Sequence, residues 1–484
     1  METILFQTME YQSDGTFQQI GYKYEGKEES GWKIYRNGNS FMELGPGYVL
    51  LKPKYCGICA TDIDRKFLPY PLPQIIGHEV VGEYNNINVV VEINASHQAR
   101  GIQNESCPFC RNGLETHCPK RITLGIDRLP GGFSPFLLAP KNSLIKIPVT
   151  LSPVVASITE PLAAALQALK VSTPENGDCV SVLGIGRLGL LLISALYGHR
   201  RKNGLNFKIS AVGRRQHLST LSCQMGADEF LLLNDDSQRQ LEDSFDIVFD
   251  TSGSPLGFES ALNLSRRVVH LKSTNGQEVM GMTQLTDMVV DEIALLPFSY
   301  DKLNFQWKSE KTRWKNTNVF ISPGVSKSEM EKLVQASPQI NFVQENEEIA
   351  FRQLRQPETI LKNYALPLFD MAIVSCLAEA DRIIRPVKGE NLSLLKPRGA
   401  ILLLNTGNGK PNLLEESIVK KGVKIHSSRC GEFKEALEIL DQNPELCQII
   451  EEKYITHRFP LKQITEAFKI AADSSESIKV MIEI

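Results

Sequence analysis

The sequence lacks a long hydrophobic segment and lacks a basic start that leads into an apolar core. Its longest largely apolar run is Leu188–Tyr197, which is too short for a membrane-spanning helix of about 20 residues. The segment Met1–Tyr11 carries Glu2 and Glu10 and does not resemble a secretory signal. We therefore expect a cytoplasmic protein without a membrane partner.

The sequence also lacks an excess of charge of either sign. It has 53 Lys and Arg against 56 Asp and Glu, a formal net charge of −3 over 484 residues. This balance is unlike the basic surface of a nucleic-acid-binding protein, so no nucleic-acid partner is expected. With 42% hydrophobic residues, the chain is long enough to form two domains with separate cores.

Ten cysteines are present, and five of them fall into two clusters. Cys56 and Cys59 form the first cluster, and Cys107, Cys110 and Cys118 form the second. In a reducing compartment such spacing favours metal binding over disulfide formation. The two clusters therefore indicate where a metal ion could be held.

The chain divides into two regions of different character. Segments 48–83 and 131–148 are rich in Gly, Pro and short β-prone runs, which is typical of a mostly β domain with sites on loops. From about residue 171, buried-strand runs alternate with helix-length stretches, which predicts a doubly wound parallel sheet. The predicted fold class is therefore α/β, with a mostly β region followed by a doubly wound parallel sheet.

A large insertion at about 275–368 interrupts the second domain. Beyond it, the run Phe-Asp-Met-Ala-Ile-Val at 369–374 echoes Phe-Asp-Ile-Val-Phe-Asp at 245–250. Two interpretations stay open, a partial internal repeat and a chance similarity between two buried strands. The insertion could also build an interface with a partner.

A candidate metal site lies in the first domain. Cys56 and Cys59, followed by His78 and Glu79, offer a thiolate, an imidazole and a carboxylate on Gly-rich loops within about twenty residues. Catalytic zinc sites use three protein ligands and leave one position for water or substrate. Taken singly, each residue is more often an ordinary buried side chain, but the combined set predicts a catalytic zinc ion.

A Gly-rich turn predicts a dinucleotide site. The run Gly184-Ile185-Gly186-Arg187-Leu188-Gly189 follows the predicted strand 179–183 and opens an apolar helix, which is the context this motif requires. Gly184 would permit the tight turn, Gly186 the close approach of the pyrophosphate, and Gly189 the packing of helix on strand.

The residues after the second strand of this domain predict which dinucleotide binds. An acidic residue there would hold the ribose 2′-hydroxyl of NAD, but the sequence has Gly213, Arg214 and Arg215. No Asp or Glu occurs from Leu190 to Ala227. Arginine side chains suit a 2′-phosphate, so NADP is expected and NAD is less favoured.

These motifs together resemble the medium-chain dehydrogenase/reductase family, in the style of its zinc-dependent alcohol, sorbitol, threonine and glucose dehydrogenases. The resemblance covers about 48–271 and 395–484. It implies a GroES-like catalytic domain over 1–170 and 431–484 and a dinucleotide-binding Rossmann domain over 171–430. The motifs that carry it are Cys-Gly-Ile-Cys-Ala-Thr-Asp at 56–62, Gly-His-Glu at 77–79, Gly-Gly-Phe-Ser at 131–134, Glu-Pro-Leu-Ala at 160–163 and Thr-His-Arg-Phe-Pro-Leu at 456–461.

The resemblance implies roles for individual residues. Cys59 and His78 would bind the catalytic zinc, and Glu79 and Glu160 stay open as the third ligand. Asp62 would orient the His78 ring, a partner that metal-bound imidazoles usually have. Thr61 resembles the hydroxyl residue that relays the alcohol proton.

The second cysteine cluster resembles the last three cysteines of the family's structural zinc lobe. The position of the first ligand holds Asn104, a poor zinc ligand, although Glu105 or His117 could complete a tetrahedral set with Cys107, Cys110 and Cys118. A lobe held by packing without metal is the alternative.

The function implied is hydride transfer between NADP(H) and a small secondary alcohol, polyol or sugar, by a homo-oligomer of two or four subunits. Arg429 resembles a substrate-binding arginine of the sorbitol-type members. Two other interpretations stay open: a zinc-free alkene reductase of the same family, and a catalytically idle NADPH-binding protein with a regulatory or partner-binding role.

Overall fold

The computed structural model describes most of the chain and divides it into two compact units. The described residues are 2–68, 70–101, 107–272, 277–299, 318–344, 356–357, 365–366, 369–385, 393–404 and 411–484. The first unit comprises Met1–Arg111, Glu115–Ala164 and Cys430–Ile484, and the second comprises Asn112–Leu114 and Ala165–Arg429.

The first unit begins with a four-stranded antiparallel meander that the sequence analysis did not predict. Its strands, in the order β1-β2-β3-β4, are β1 Glu2–Tyr11, β2 Phe17–Lys27, β3 Gly31–Arg36 and β4 Asn39–Leu44. Alternating apolar residues form its buried face, with Tyr22, Tyr24 and Trp32 at most 3% exposed. Glu10, also buried, is paired with Arg36 and accepts a hydrogen bond from the Tyr22 hydroxyl.

The mostly β part of the first unit follows this meander. Its strands are β5 Tyr48–Gly57, β6 Glu79–Tyr84, β7 Ile87–Val91, β8 Asn94–Ala95, β9 Ile122–Thr123, β10 Leu137–Pro140 and β11 Leu144–Lys146. Short helices lie in the connections, α1 Ala60–Ile63, α2 Pro108–Arg111 and α3 Pro153–Ala156. Helix α4, Thr159–Val171, contains the boundary between the two units.

The second unit alternates strands and helices. Its strands are β12 Cys179–Leu183, β13 Lys208–Gly213, β14 Glu229–Leu232, β15 Phe245–Asp250, β16 Ser265–Leu271, β17 Ala294–Pro297, β18 Asn318–Ile321, β19 Asn341–Gln344, β20 Gln356–Pro357, β21 Ala365–Leu366, β22 Phe369–Val374, β23 Leu395–Leu403 and β24 Lys424–Ser427. Its helices are α5 Arg187–Asn203, α6 Ser219–Gln224, α7 Asp235–Gln240, α8 Pro255–Leu264, α9 Leu285–Val290, α10 Lys327–Ala336, α11 Leu377–Ile384 and α12 Leu413–Val419.

One large sheet organises the second unit. Among the described residues it has eleven strands in the order β14-β13-β12-β15-β16-β24-β17-β23-β22-β18-β19. All neighbouring strands are parallel except β24 and β17, which pair antiparallel at Ile425 and Leu295. An apolar core that includes Val248, Leu295 and Phe369 continues past this antiparallel pair. The segment predicted as an insertion therefore supplies strands to the same sheet.

The C-terminal segment returns to the first unit and completes its second sheet. It forms α13 Phe433–Asp441, α14 Pro444–Ile449, β25 Ile455–Pro460, α15 Ile464–Ala472 and β26 Lys479–Glu483. Strand β26 pairs with β5, and the sheet runs β11-β7-β6-β5-β26-β25 with β10 also beside β5. A mostly β unit and a doubly wound sheet confirm the predicted α/β fold class.

Candidate functional site

Two neighbouring segments of the first unit bring Cys59, His78 and Glu79 together. Cys59 follows β5 and caps α1, while Glu79 opens β6, directly opposite Gly57 of β5. Because β5 and β6 are paired there, the loop of about twenty residues between them begins and ends at the same place in the sheet. One ligand atom from each of the three residues lies within 4.8 Å of the others. The structure therefore assembles the predicted catalytic metal set.

Asp62, which is fully buried, contacts two of these three residues. One carboxylate oxygen accepts a hydrogen bond from the Cys59 backbone N–H at 2.9 Å, and the other lies 3.3 Å from His78 Nδ1. Burial alone would lower the pKa of His78, but Asp62 and Cys59 raise it well above its ordinary value. With Nδ1 beside Asp62, Nε2 is the ring nitrogen available for a metal.

Lys479, which the sequence analysis missed, forms an ion pair with Glu79. Both side chains are 1% exposed, and Lys479 Nζ also donates to the Ile58 carbonyl at 3.0 Å. A Cβ at Gly57 would lie 2.1 Å from a Glu79 oxygen, so the pair fits only because residue 57 is glycine. The available signal was a lysine within the apolar C-terminal strand.

The donor set fits a zinc ion. Zinc is bound in proteins by thiolate, imidazole and carboxylate ligands, and all three types are present. Oε2 of the buried Glu79 carboxylate is paired with Lys479, and among the described residues Oε1 accepts no hydrogen bond. A carboxylate buried in this way is costly unless a cation stabilises it.

The remaining two predicted catalytic residues lie in helices. Thr61 is half-buried in α1, two residues after Cys59. Glu160 lies in the first turn of α4 and does not belong to the group of three. Among the described residues the geometry thus favours Glu79 over Glu160 as the third ligand, and both roles stay predictions.

The second cysteine cluster gains a fourth member that the sequence analysis missed. His97, which follows β8, joins Cys107, Cys110 and Cys118, with one ligand atom of each within 4.8 Å of the others. His97 Nδ1 lies 3.2 Å from Cys118 Sγ and 4.0 Å from Cys110 Sγ. Asn104 and Glu105, considered for this position, lie outside the described residues. His117 lies in a short 3-10 helix, Glu115–His117, and is not part of the group.

We expect His97→Ala to reduce the zinc content of purified protein by one equivalent per chain. Three thiols and one imidazole have the composition of a closed structural zinc site, and a metal bound there would contribute to folding. Metal analysis and the midpoint of thermal unfolding (Tm) measure the effect. His117→Ala is the matched control and should leave both unchanged, whereas zinc loss in that variant would contradict the assignment.

The Gly-rich turn of the second unit has the geometry that a dinucleotide needs. Gly184 has φ +94°, and a Cβ there would lie 2.7 Å from the Ser252 nitrogen. A Cβ at Gly189 would lie 2.3 Å from the Gly184 oxygen, so helix α5 packs against the turn. A Cβ at Gly186 would approach no atom more closely than 3.5 Å, at Arg215. Gly186 thus leaves its turn open.

Arginines flank this turn. Arg215 donates to the Ile185 carbonyl at 2.8 Å, while Arg214 is exposed just after Gly213 at the end of β13. Burial lowers the pKa of Arg215, and the nearby positive charge of Arg187 lowers it further. The guanidinium groups of Arg187 and Arg215 lie beside the N-terminus of α5, and this positive charge favours the binding of an anion there. Leu188 lies in the first turn of α5.

Other basic residues of the same stretch are paired with carboxylates. Arg200 binds Asp228 through two hydrogen bonds of 2.6 and 3.0 Å, and Lys208 pairs with Glu229 at 2.7 Å. These two side chains support the edge strands of the sheet. Arg215, by contrast, reaches the turn itself.

Arg429 contacts the segment that follows α9 in the second unit. Its backbone N–H donates to Glu292 at 2.8 Å, and its guanidinium donates to the Val290 carbonyl at 3.1 Å. Its resemblance to a substrate-binding arginine stays a prediction.

Comparisons with known proteins agree with this architecture. Residues 45–149 match the alcohol dehydrogenase GroES-like domain. The chain is 32% identical to an alcohol dehydrogenase of Geobacillus stearothermophilus over 207 residues, which is 38% of this chain and 56% of that one. It is 26% identical to an L-threonine 3-dehydrogenase of Pectobacterium atrosepticum over 238 residues, 46% of this chain and 63% of that one. The matches thus span little more than half of these relatives.

Solved structures show the same fold at low identity. A zinc-binding dehydrogenase from Sinorhizobium meliloti bound to NADP aligns over 100% of both chains with a TM-score of 0.55 and 16% identity. A dehydrogenase from Escherichia coli complexed with NADH aligns over 99% of both chains with a TM-score of 0.58 and 15% identity.

The structure thus combines a mostly β unit, which contains the GroES-like match and the thiolate, imidazole and carboxylate set, with a second unit built on a doubly wound sheet. The chain is similar to alcohol and L-threonine dehydrogenases, and its residues 45–149 match the GroES-like domain of alcohol dehydrogenases. In the described part of the chain, no helix is both long and apolar enough to cross a membrane.

Proposed function

We propose that this protein is a zinc-dependent dehydrogenase that transfers a hydride between NADP(H) and a secondary alcohol, polyol or sugar. The observation that carries the proposal is the convergence of Cys59, His78 and Glu79 with Asp62 behind them. A structural site would be closed by a fourth protein ligand, but this set has three members among the described residues.

Each side chain of the site would have a separate role in this reaction. Zinc, when bound, would stabilise the negative charge that develops on the substrate oxygen. Cys59, His78 and Glu79 would hold the ion, and Asp62 would keep the His78 ring oriented through Nδ1. Thr61, two residues beyond Cys59 and half-buried, would accept the alcohol proton and pass it toward solvent.

The Gly-rich turn would hold the dinucleotide. The nicotinamide, when bound, accepts or returns the hydride. Gly186 would permit the pyrophosphate to approach the N-terminus of α5, because a Cβ position there is open. Arg215 and Arg187 would supply positive charge beside the turn, and no carboxylate follows β13 to hold a ribose 2′-hydroxyl.

Arg215→Ala should weaken NADPH binding by about 10- to 100-fold while changing NADH binding by less than about threefold. A charge-assisted hydrogen bond contributes about 1.5–3 kcal/mol, and only NADPH carries the 2′-phosphate that would receive it. Calorimetric titration of both cofactors measures the difference. Arg201→Ala, an exposed arginine on α5, is the control. Equal losses for NADH and NADPH would contradict a 2′-phosphate contact.

A substrate screen tests the proposed activity. Purified protein would be assayed with NADP and with NAD on secondary alcohols, polyols, aldoses and L-threonine, before and after treatment with a chelator. We expect NADP-dependent oxidation that the chelator abolishes and added zinc restores. Activity on activated alkenes that survives the chelator would instead identify a zinc-free reductase. NADPH binding without turnover of any substrate would favour an idle binding protein.

A further inference from the structure

The second unit contains two half-sheets built on the same plan. In the first, β15 begins Phe245-Asp246, and in the second, β22 begins Phe369-Asp370; both strands have the same order of buried and half-buried residues. Each strand pairs parallel with the next one through a register shift directly after its phenylalanine. A shared irregularity at the same place is stronger support for a repeat than the sequence echo alone.

The two aspartates make equivalent contacts. Asp246 accepts from the first backbone N–H of β12, at Cys179, and from Arg266 of β16 at 2.7 Å. Asp370 accepts from the first backbone N–H of β18, at Asn318, and from Lys396 of β23 at 2.9 Å. In each half, one carboxylate therefore ties the starts of three adjacent strands together.

The strand order repeats as well. The first half runs β13-β12-β15-β16-β24 and the second runs β19-β18-β22-β23-β17, each parallel throughout. Strand β17 follows β16 in the chain but lies beside β23, and β24 follows β23 but lies beside β16. Helix α9 accordingly contacts α11, and α12 contacts α8. The two halves have exchanged their last helix and strand.

This correspondence places a second crevice where β18 and β22 end, equivalent to the Gly-rich turn between β12 and β15. In doubly wound sheets ligands bind where neighbouring strands connect in opposite directions. Here the turn 322–326 joins β18 to α10, and Ser375 follows β22. We define the second crevice by this turn and Ser375.

The carboxylate of Glu379, from the first turn of α11, fills the second crevice. It accepts the backbone N–H groups of Gly324 at 2.9 Å and Ser375 at 2.7 Å, and the hydroxyls of Ser322 at 2.5 Å and Ser375 at 2.7 Å. Burial opposes ionisation of Glu379, but these hydrogen bonds hold its pKa below the ordinary value. The backbone N–H and hydroxyl groups that could donate to a phosphate in this crevice already donate to the Glu379 carboxylate.

The two turns differ in the space they leave. A Cβ at Gly186 would approach no atom more closely than 3.5 Å, whereas a Cβ at Gly324 would lie 2.2 Å from Ser375 Oγ and 2.7 Å from Glu379 Oε1. The first turn is open to a ligand, and the second is closed by the protein's own side chains.

We propose that the second half-sheet is a degenerate copy of the dinucleotide-binding half, with Glu379 as an internal carboxylate in place of the dinucleotide phosphates. The chain consequently binds one dinucleotide, at Gly184–Gly189, although its sheet has two equivalent crevices. The stoichiometry rests on the proposed function; the role of Glu379 does not.

Calorimetric titration of the full-length protein with NADPH tests the stoichiometry. We expect one NADPH per chain in the wild type and none in Gly186→Asp, which introduces a carboxylate at a turn where a Cβ would lie no closer than 3.5 Å to any atom. Two equivalents in the wild type, or one remaining in Gly186→Asp, would overturn the proposal.

The role of Glu379 is tested with inorganic pyrophosphate as the probe, in the presence of saturating NADPH to occupy the first turn. Glu379→Ala leaves two backbone N–H groups without their acceptor and should lower Tm by about 3–6 °C. Pyrophosphate should then raise the Tm of this variant and not that of the wild type. Glu331→Ala, on the exposed side of α10, is the control and should behave as the wild type.

A Glu379→Ala variant as stable as the wild type, or one that does not respond to pyrophosphate, would overturn the assignment of Glu379. Failure of the proposed function has a different signature. A wild-type chain that binds no NADPH would contradict that function, and the pyrophosphate response of Glu379→Ala alone would then decide the inference.

Discussion

Cys59→Ser should lose one equivalent of zinc per chain and lower kcat/KM by about 10³-fold or more. A serine hydroxyl is neutral at pH 7 and replaces the only thiolate of a three-residue set among the described residues. Loss of the ion removes several kcal/mol of stabilisation of the charge on the substrate oxygen, and each 1.4 kcal/mol changes the rate about tenfold. Metal analysis and steady-state kinetics on the substrate found in the screen measure both effects.

Cys56→Ala is the matched control for this variant. Cys56 lies in the same motif, but it is fully buried and is not a member of the metal group. Burial raises the pKa of its thiol well above the ordinary value, which disfavours the thiolate that a metal requires. Cys56→Ala should therefore keep its zinc. Full zinc and full activity in Cys59→Ser would show that the ligand assignment is wrong, whereas zinc loss with unchanged activity would favour metal-independent chemistry.

The sequence predicted those features that depend on residues close together in the chain. Gly184, Gly186 and Gly189 lie in one turn, and their separate tasks follow from backbone geometry that glycine alone permits easily. Cys59, His78 and Glu79 are separated by one loop between paired strands. Such local patterns can be interpreted from the sequence because each depends on the backbone of one turn or one loop.

The residues that sequence analysis missed are brought in by long-range pairing. Lys479 reaches Glu79 because β26, at the end of the chain, lies beside β5. His97 approaches Cys118 because β8, just before His97, pairs with β9, just after Cys118. Neither contact follows from spacing, because the strand order that creates it depends on tertiary packing.

The segment predicted as an insertion and the N-terminal meander both contain strands that the sequence analysis did not predict. The segment 275–368 was predicted as an insertion, but β17, β18 and β19 lie within the main sheet. Their short apolar runs are separated by long charged stretches, so the alternation of strand and helix was not apparent. In the meander, by contrast, the alternation at Tyr22 and Tyr24 was a usable signal for a strand with one buried face.

Lys479→Met should destabilise the zinc-free protein by about 3–5 kcal/mol, since it removes the positive partner of a buried carboxylate and leaves the charge of Glu79 uncompensated. Methionine keeps the apolar stem of the lysine, so packing is largely preserved. Zinc supplies positive charge to the same carboxylate if Glu79 is a ligand. The loss should therefore be smaller in zinc-loaded protein, and denaturant unfolding with and without chelator measures the difference.

Two further variants serve as controls for this prediction. Lys469→Met, on exposed α15, removes a surface ion pair with Glu466 and should cost less than about 1 kcal/mol. Glu79→Gln combined with Lys479→Met removes both charges of this ion pair and should be more stable than Lys479→Met alone. If Lys479→Met costs no more than Lys469→Met, the ion pair does not stabilise the first unit. If its cost is the same with and without zinc, Glu79 is not compensated by the metal, and Glu160 becomes the stronger candidate for the third ligand.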